Sequence, residues 1–171
     1  MYYLATRQFA FTLRNLDAIM AKAQAFAAAR KFDVNNFCGA RLFPDMLPFT
    51  LQIRIACDQA KNAAALLAGK VPPKHEDTET TFEELRGRVA KCLAYLDSVG
   101  PSDYANVTAD TLIPLPNPKG KAMRAEDYLL SRQIPNFYFH VVTAYDLLRH
   151  GGVDVGKSDF LGPLNQTDLP A

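Results

Sequence analysis

This 171-residue chain has almost no excess of charge: its formal net charge is +1, and Lys and Arg are scattered among a matching number of acids. Proteins that bind nucleic acid concentrate cations into a stripe, because neutralising phosphates supplies most of their affinity. The even balance therefore argues against nucleic acid as a partner, and against an anionic membrane surface. Cysteine is scarce: Cys38, Cys57 and Cys92 are odd in number, far apart in sequence and form no CxxC. That excludes a disulfide framework and suits a reducing, cytoplasmic location. No window approaches the ~20 apolar residues of a membrane span. The opening MYYLATRQFAFTL lacks a basic leader region and is interrupted by Arg7 and Arg14, so it reads as an amphipathic helix that is retained. There is no Walker loop, no GxGxxG, no HExxH, no GxSxG, no paired Cys/His zinc spacing and no internal repeat.

Against these absences stands an ordinary globular composition, 49% apolar and 11% aromatic, enough for a core without disulfides. Apolar residues recur at alternating steps of three and four in four segments, about 2–30, 45–69, 82–98 and 125–150. The seams are Phe9, Leu13, Leu16, Met20, Ala23 and Ala27, then Phe49, Ile53, Ala56, Ala60, Ala63 and Leu67. Phe82, Leu85, Val89, Cys92 and Leu96 follow, and then Leu130, Ile134, Phe137, Val141, Ala144 and Leu148. A mean step of 3.5 keeps one face on a nearly parallel neighbour, so the chain reads as a single all-α domain built as a four-helix bundle.

The punctuation agrees with that reading. Pro44 and Asp45 are expected to open the second helix and Gly69 to close it. Thr81 with Glu84 has the spacing of a capping box, and Gly100–Pro101 ends the third helix. Arg149 and His150 suit the negative end of the fourth, with Gly151 and Gly152 beyond. Pro135 predicts a kink in that helix, or else a start near 135. Residues 107–124 read as a small β-hairpin with Val107–Pro114 as its first strand. The tail, 153–171, reads as extended chain, with Phe160 and Leu161 docked on the helices and Lys157 pairing locally with Asp159.

Polar residues that border an apolar seam mark where bundles build ligand and metal sites. On the second helix Asp45, Gln52 and Gln59 share one such position; on the fourth, Gln133 and His140 do, with Asn136 one turn before His140. His140 is the candidate ligand or general base, because imidazole titrates near neutrality. Asp45, Gln52 and Asn136 are its candidate partners, and Tyr145 or Tyr138 can offer a pocket a hydroxyl. The rest of Phe137–Phe139 reads as core. His75 reads as a solvated loop residue, His150 as a helix-end charge, and Cys38 as a thiol with only Arg41 near it in sequence. Tyr2, Tyr3, Phe11 and Phe26 do not all fit one seam, which gives the first helix a second apolar face for a homodimer.

The segments PNFYFHVVTAYDLLRHGGVDVGKSDFLG (135–162) and ARLFPDMLPFTLQIRIACDQAK (40–61) resemble the bacterial family DUF1993, which is similar to the DinB/YfiT-like superfamily. The resemblance covers nearly the whole chain. It implies an up-down-down-up bundle, often dimeric. In better-known members of the superfamily one histidine on the second helix and two on the last hold a divalent metal (Zn, Ni or Mn), and some are thiol S-transferases. Here His140 matches one last-helix histidine, Asn136 stands where the other would be, and Asp45 or Gln52 stands nearest the second-helix position. The expectation is a small-molecule-binding or dimeric interaction protein with a degenerate metal site. The alternative is a divalent-metal-dependent hydrolase or S-transferase acting through His140.

Overall fold

The computed structural model describes residues 1–169; the last two residues of the expected tail lie outside the described residues. The chain is mostly helical with one two-stranded antiparallel sheet. Three long helices come first: α1 (Tyr2–Arg30), α2 (Phe49–Leu67) and α3 (Phe82–Asp97). A fourth helical stretch joins α4 (Ala125–Asp127), a π-helical segment (Tyr128–Gln133) and α5 (Ile134–His150). The helix α2 packs along both α5 and α3, and α1 lies against α3 and α2. Among the described residues no helix is long and apolar enough to cross a membrane.

The predicted seams of α1, α2 and α3 are buried at every position. Phe49 of α2 stacks on Phe82 of α3 with ring centres 5.5 Å apart, and Phe9 meets Phe137 at 4.7 Å. Burying each such ring contributes roughly 1.5–3 kcal/mol. Thr81 and Glu84 form the capping box reciprocally. At the end of α2, Gly69 takes φ +67° while the Lys70 N–H closes back on the Ala65 carbonyl at 2.9 Å. Gly152, at φ +92°, turns the chain out of α5.

Two helix boundaries differ from expectation. The helix α2 begins at Phe49, not 45, with Pro48 as its N-cap, and Asp45 sits on an exposed turn before it. A residue that precedes proline is biased out of the α region, which favours a start behind Pro48 over one at Asp45. In the last stretch the helix passes through Pro135 without restarting. The π turns lie immediately upstream, where an α ladder would need the N–H that proline lacks. The wider turn also shifts the register by about one residue. Tyr128 and Leu129 therefore face the core, and Leu130, predicted for the seam, is 46% exposed.

The hairpin is shorter than predicted: β1 (Leu112–Pro114) pairs with β2 (Ala122–Arg124), Ile113 opposite Met123. Residues 108–111 form a turn instead, because the Thr108 N–H donates to Thr111 Oγ1 at 2.9 Å and the Thr111 N–H to the Thr108 carbonyl at 3.2 Å. The tail is not wholly extended. It contains a short helix, α6 (Lys157–Leu161), docked on α1. Asp159 pairs with Lys22 of α1 at 2.6 Å rather than with Lys157. Asn15 Nδ2 donates to the Phe160 carbonyl, while Leu161 stays exposed. Tyr2 and Phe26, assigned to a dimer face from sequence, are taken up inside the chain. Tyr2 is buried with its hydroxyl on the Thr108 carbonyl, and Phe26 packs edge-on against Phe32.

The 70–81 connection is fastened to the helices by charge. The Arg88 side chain of α3 is fully buried and holds Asp58 (2.8 Å), Glu79 (3.0 Å) and Asp77 (3.2 Å). Arg54 of α2 meets Glu79 from the other side at 2.9 Å, and Lys61 meets Asp58 at 2.8 Å.

Candidate functional site

Gln52 and His140 meet across the α2–α5 interface. Both are buried, at 1% and 6% exposure. Gln52 Nε2 donates to the Leu47 carbonyl at 2.9 Å, in the turn that leads into α2. That bond fixes the amide's orientation, so its oxygen is the atom 2.7 Å from His140 Nδ1. An amide oxygen only accepts, so Nδ1 must carry the proton. The other ring nitrogen, Nε2, then keeps its lone pair, and it has no hydrogen-bond partner among the described residues. Burial pushes the imidazole pKa below its ordinary value, which holds the ring neutral at pH 7. The result is an oriented, uncharged acceptor whose tautomer is set by its neighbours.

The other candidate residues divide by location. Asn136 is half-buried one turn before His140, and its side chain makes no hydrogen bond among the described residues. Gln133 is buried in the π-helical segment, where Nε2 bonds the Tyr128 hydroxyl and Oε1 has no partner. Gln59 is half-buried on α2. Asp45 is exposed and off the helix, so it does not share the face of Gln52. Tyr145 lies about 140° round α5 from His140 by helical geometry. It packs against Phe160 at 5.9 Å and lines a separate cavity of about 220 Å³ with Val142 and Lys157. Tyr138 turns towards α1, with Gln8 Nε2 at 3.2 Å and Thr12 Oγ1 at 3.4 Å from its hydroxyl. Phe139, expected in the core, is 57% exposed with its ring 5.3 Å from that of His140.

The remaining titratable groups behave differently from their sequence reading. Cys38 is buried, and burial pushes its thiol pKa up, the opposite of a reactive thiol; Arg41 bonds the Met46 carbonyl instead. Cys57 and Cys92, distant in sequence, lie together inside the α2–α3 contact as free thiols, with Cys92 Sγ donating to the Cys57 carbonyl at 3.3 Å. His75 is half-buried rather than solvated, with a buried and unpartnered Nδ1. Sequence reasoning missed the Arg88 cluster altogether. The one available signal was Gly87, a helix-interior glycine beside an arginine next to the seam residue Val89.

These residues do not fit a bound Zn, Ni or Mn ion. Among the described residues no three His, Cys, Asp or Glu side chains are grouped so as to hold a metal. Gln52 has already spent its oxygen on His140 and its nitrogen on Leu47. A single imidazole Nε2 is left where such sites use three strong ligands.

A family model described as "Domain of unknown function (DUF1993)" matches residues 1–161. Among solved structures, the chain is similar to a DinB family member protein from Shewanella denitrificans. The two are 42% identical, with 98% of this chain and 95% of that chain covered and a TM-score of 0.92. No curated protein matches it.

Proposed function

We propose that this chain, which belongs to the DUF1993 family, is a small-molecule-binding protein that uses the position of a degenerate metal site as a hydrogen-bond acceptor. Its long helices are read as the up-down-down-up bundle of DinB-like proteins, with α2 and α5 forming the binding face. His140 carries the proposal: Nδ1–H is committed to Gln52, and a neutral Nε2 is left without a protein partner. Asn136, one turn away, supplies an amide that can donate and accept, and exposed Phe139 and Leu47 supply apolar surface beside it. A ligand that donates an O–H or N–H to His140 and rests an apolar body on Phe139 suits this arrangement.

The test is a thermal-shift screen of neutral hydroxyl- and amide-bearing compounds, repeated on His140→Phe, which keeps an aromatic ring but removes the acceptor. Hits that stabilise the native chain and lose their effect in the variant support the assignment. Hits that stabilise both equally place binding elsewhere. Metal content of protein purified without chelator tests the alternative of a metal-dependent hydrolase or S-transferase, which requires a stoichiometric ion lost in the same variant.

A homodimer is a second reading, favoured by exposed Phe43, Leu47 and Phe139. Sedimentation at several concentrations tests it; a strict monomer refutes it.

A further inference from the structure

Between the 74–79 segment and the outer side of α3 lies a cavity of about 470 Å³, separate from the Gln52–His140 pair. Its lining is rich in charged residues, and each of its three acids already has a partner. Glu84 Oε2 accepts from the Thr80 and Thr81 N–H groups at 2.7 and 2.9 Å, which holds its carboxyl at about 2. Glu79 lies between Arg54 and Arg88, and Glu76 pairs with Lys74 at 2.8 Å. The donors are not all engaged. Lys91 is exposed and has no ion pair among the described residues. Arg88 Nε and His75 Nδ1 are buried nitrogens without a hydrogen-bond partner, and both residues line the cavity. Gly87 leaves a stretch of helix bare on the same wall: a Cβ built there would meet nothing within 4 Å.

One buried acceptor of the lining, Glu79 Oε2, also lacks a hydrogen bond, but it faces Arg54 at 2.9 Å, so the balance of unspent groups is cationic. A cationic ligand would meet carboxylates that each already have a partner, whereas an oxyanion finds the unpaired Lys91 ammonium and, at His75, an unpartnered ring nitrogen that can carry a proton to it. We propose that this cavity is a binding site for a small molecule held by an oxyanion group, carboxylate or phosphate, with Lys91 and His75 as its ligands and Gly87 keeping the space open. The His75 environment agrees. Burial first, and then the positive charges of Lys61 and Arg88, hold its pKa below the ordinary value, with Asp58 opposing. An anion in the cavity reverses that bias and favours the protonated ring.

The test is thermal unfolding of the full chain in inorganic phosphate and, separately, in acetate, each against sodium chloride at equal ionic strength. A saturable rise in Tm beyond the chloride control is expected. Response to phosphate alone assigns a phosphate group, and response to acetate alone assigns a carboxylate. Lys91→Met, at an exposed position, is expected to weaken the effect about tenfold, read as the anion concentration giving half the shift. Gly87→Leu fills the empty space with a better helix former, so the ligand-free protein should unfold no earlier while the anion-dependent shift disappears. In the native chain the His75 imidazole should titrate at higher pH when the anion is bound. A shift no larger than that in chloride overturns the proposal, as does a shift that survives unchanged in both variants.

Discussion

Replacing Gln52 with Glu puts a carboxylate where His140 Nδ1 now meets a neutral amide oxygen 2.7 Å away. In the native chain burial lowers the His140 pKa, so the ring is neutral at pH 7. With charge centres about 4 Å apart and an effective dielectric near 20, the new pair attracts by about 4 kcal/mol, or roughly 3 pKa units at 1.36 kcal/mol each. Desolvation of the carboxylate subtracts from this, so His140 in Gln52→Glu should titrate above the ordinary histidine value instead of below it. The sign of the pH dependence of stability should reverse as well. In the native chain the unfolded state takes up the proton first, so stability falls as pH drops through the ordinary histidine range towards the depressed folded pKa. In the variant the stabilisation is complete below the unfolded pKa and is lost as pH rises through the elevated folded one. The variant's second carboxylate oxygen also faces the Leu47 carbonyl, which costs about 1–3 kcal/mol at high pH. Nitrogen-detected imidazole NMR on resonances assigned to His140 alone is the assay, because His75 is depressed as well. An unprotonated Nδ1 in the native chain at pH 7.5, or an unmoved titration midpoint in the variant, refutes the reasoning.

Three further variants have expected outcomes. Arg88→Met leaves Asp58 and Glu79 without their buried partner and should cost about 3–5 kcal/mol in urea unfolding; a loss under ~1 kcal/mol contradicts the role given to the cluster. The same variant should flatten the acid limb. Burial alone would raise the Glu79 pKa, but hydrogen bonds from its own backbone and from Arg88, with the charges of Arg88 and Arg54, hold it low. Its contribution is therefore present above the unfolded pKa and lost as pH falls through the folded one. Thr81→Ala should cost about 1 kcal/mol of global stability by removing the α3 N-cap, and an unchanged urea midpoint counts against the capping box. Gly162→Ala adds a Cβ against the Asn15 side chain at φ +68°, so α6 should come away from α1 and limited proteolysis should cut the tail faster; an unchanged cutting rate contradicts the docking.

The apolar seams are legible because a 3.5-residue period records which side of a helix is covered, and every seam residue of α1, α2 and α3 is buried. The same rule fails at Leu130 because it assumes a uniform rise. The π turns before Pro135 add a residue to the cycle, and nothing in an apolar period announces that insertion. Asp45 fails for a local reason that was available: the proline at 48 outranks the one at 44 as a helix start. Arg88 is a harder case. A charge one residue from a seam position reads as solvated surface, and only the convergence of Asp58, Asp77 and Glu79 makes its burial tolerable. Those carboxylates come from a helix and a loop whose approach no spacing encodes.

The Gln52–His140 pair shows the same division more sharply. That both residues border a seam is a matter of spacing, and that they touch follows from α2 lying along α5. Which nitrogen of His140 is protonated depends on a third group, the Leu47 carbonyl, through the orientation it imposes on the Gln52 amide. Leu47 is out of the helix because Pro48 follows it. One proline therefore does two things: it excludes Asp45 from the α2 face, and it exposes the carbonyl that aligns the amide. An acid in place of Gln52 would favour the protonated form of His140. The neutral amide leaves a single uncharged acceptor, oriented by Gln52, whose Nε2 lone pair is free to take a hydrogen bond from a bound molecule.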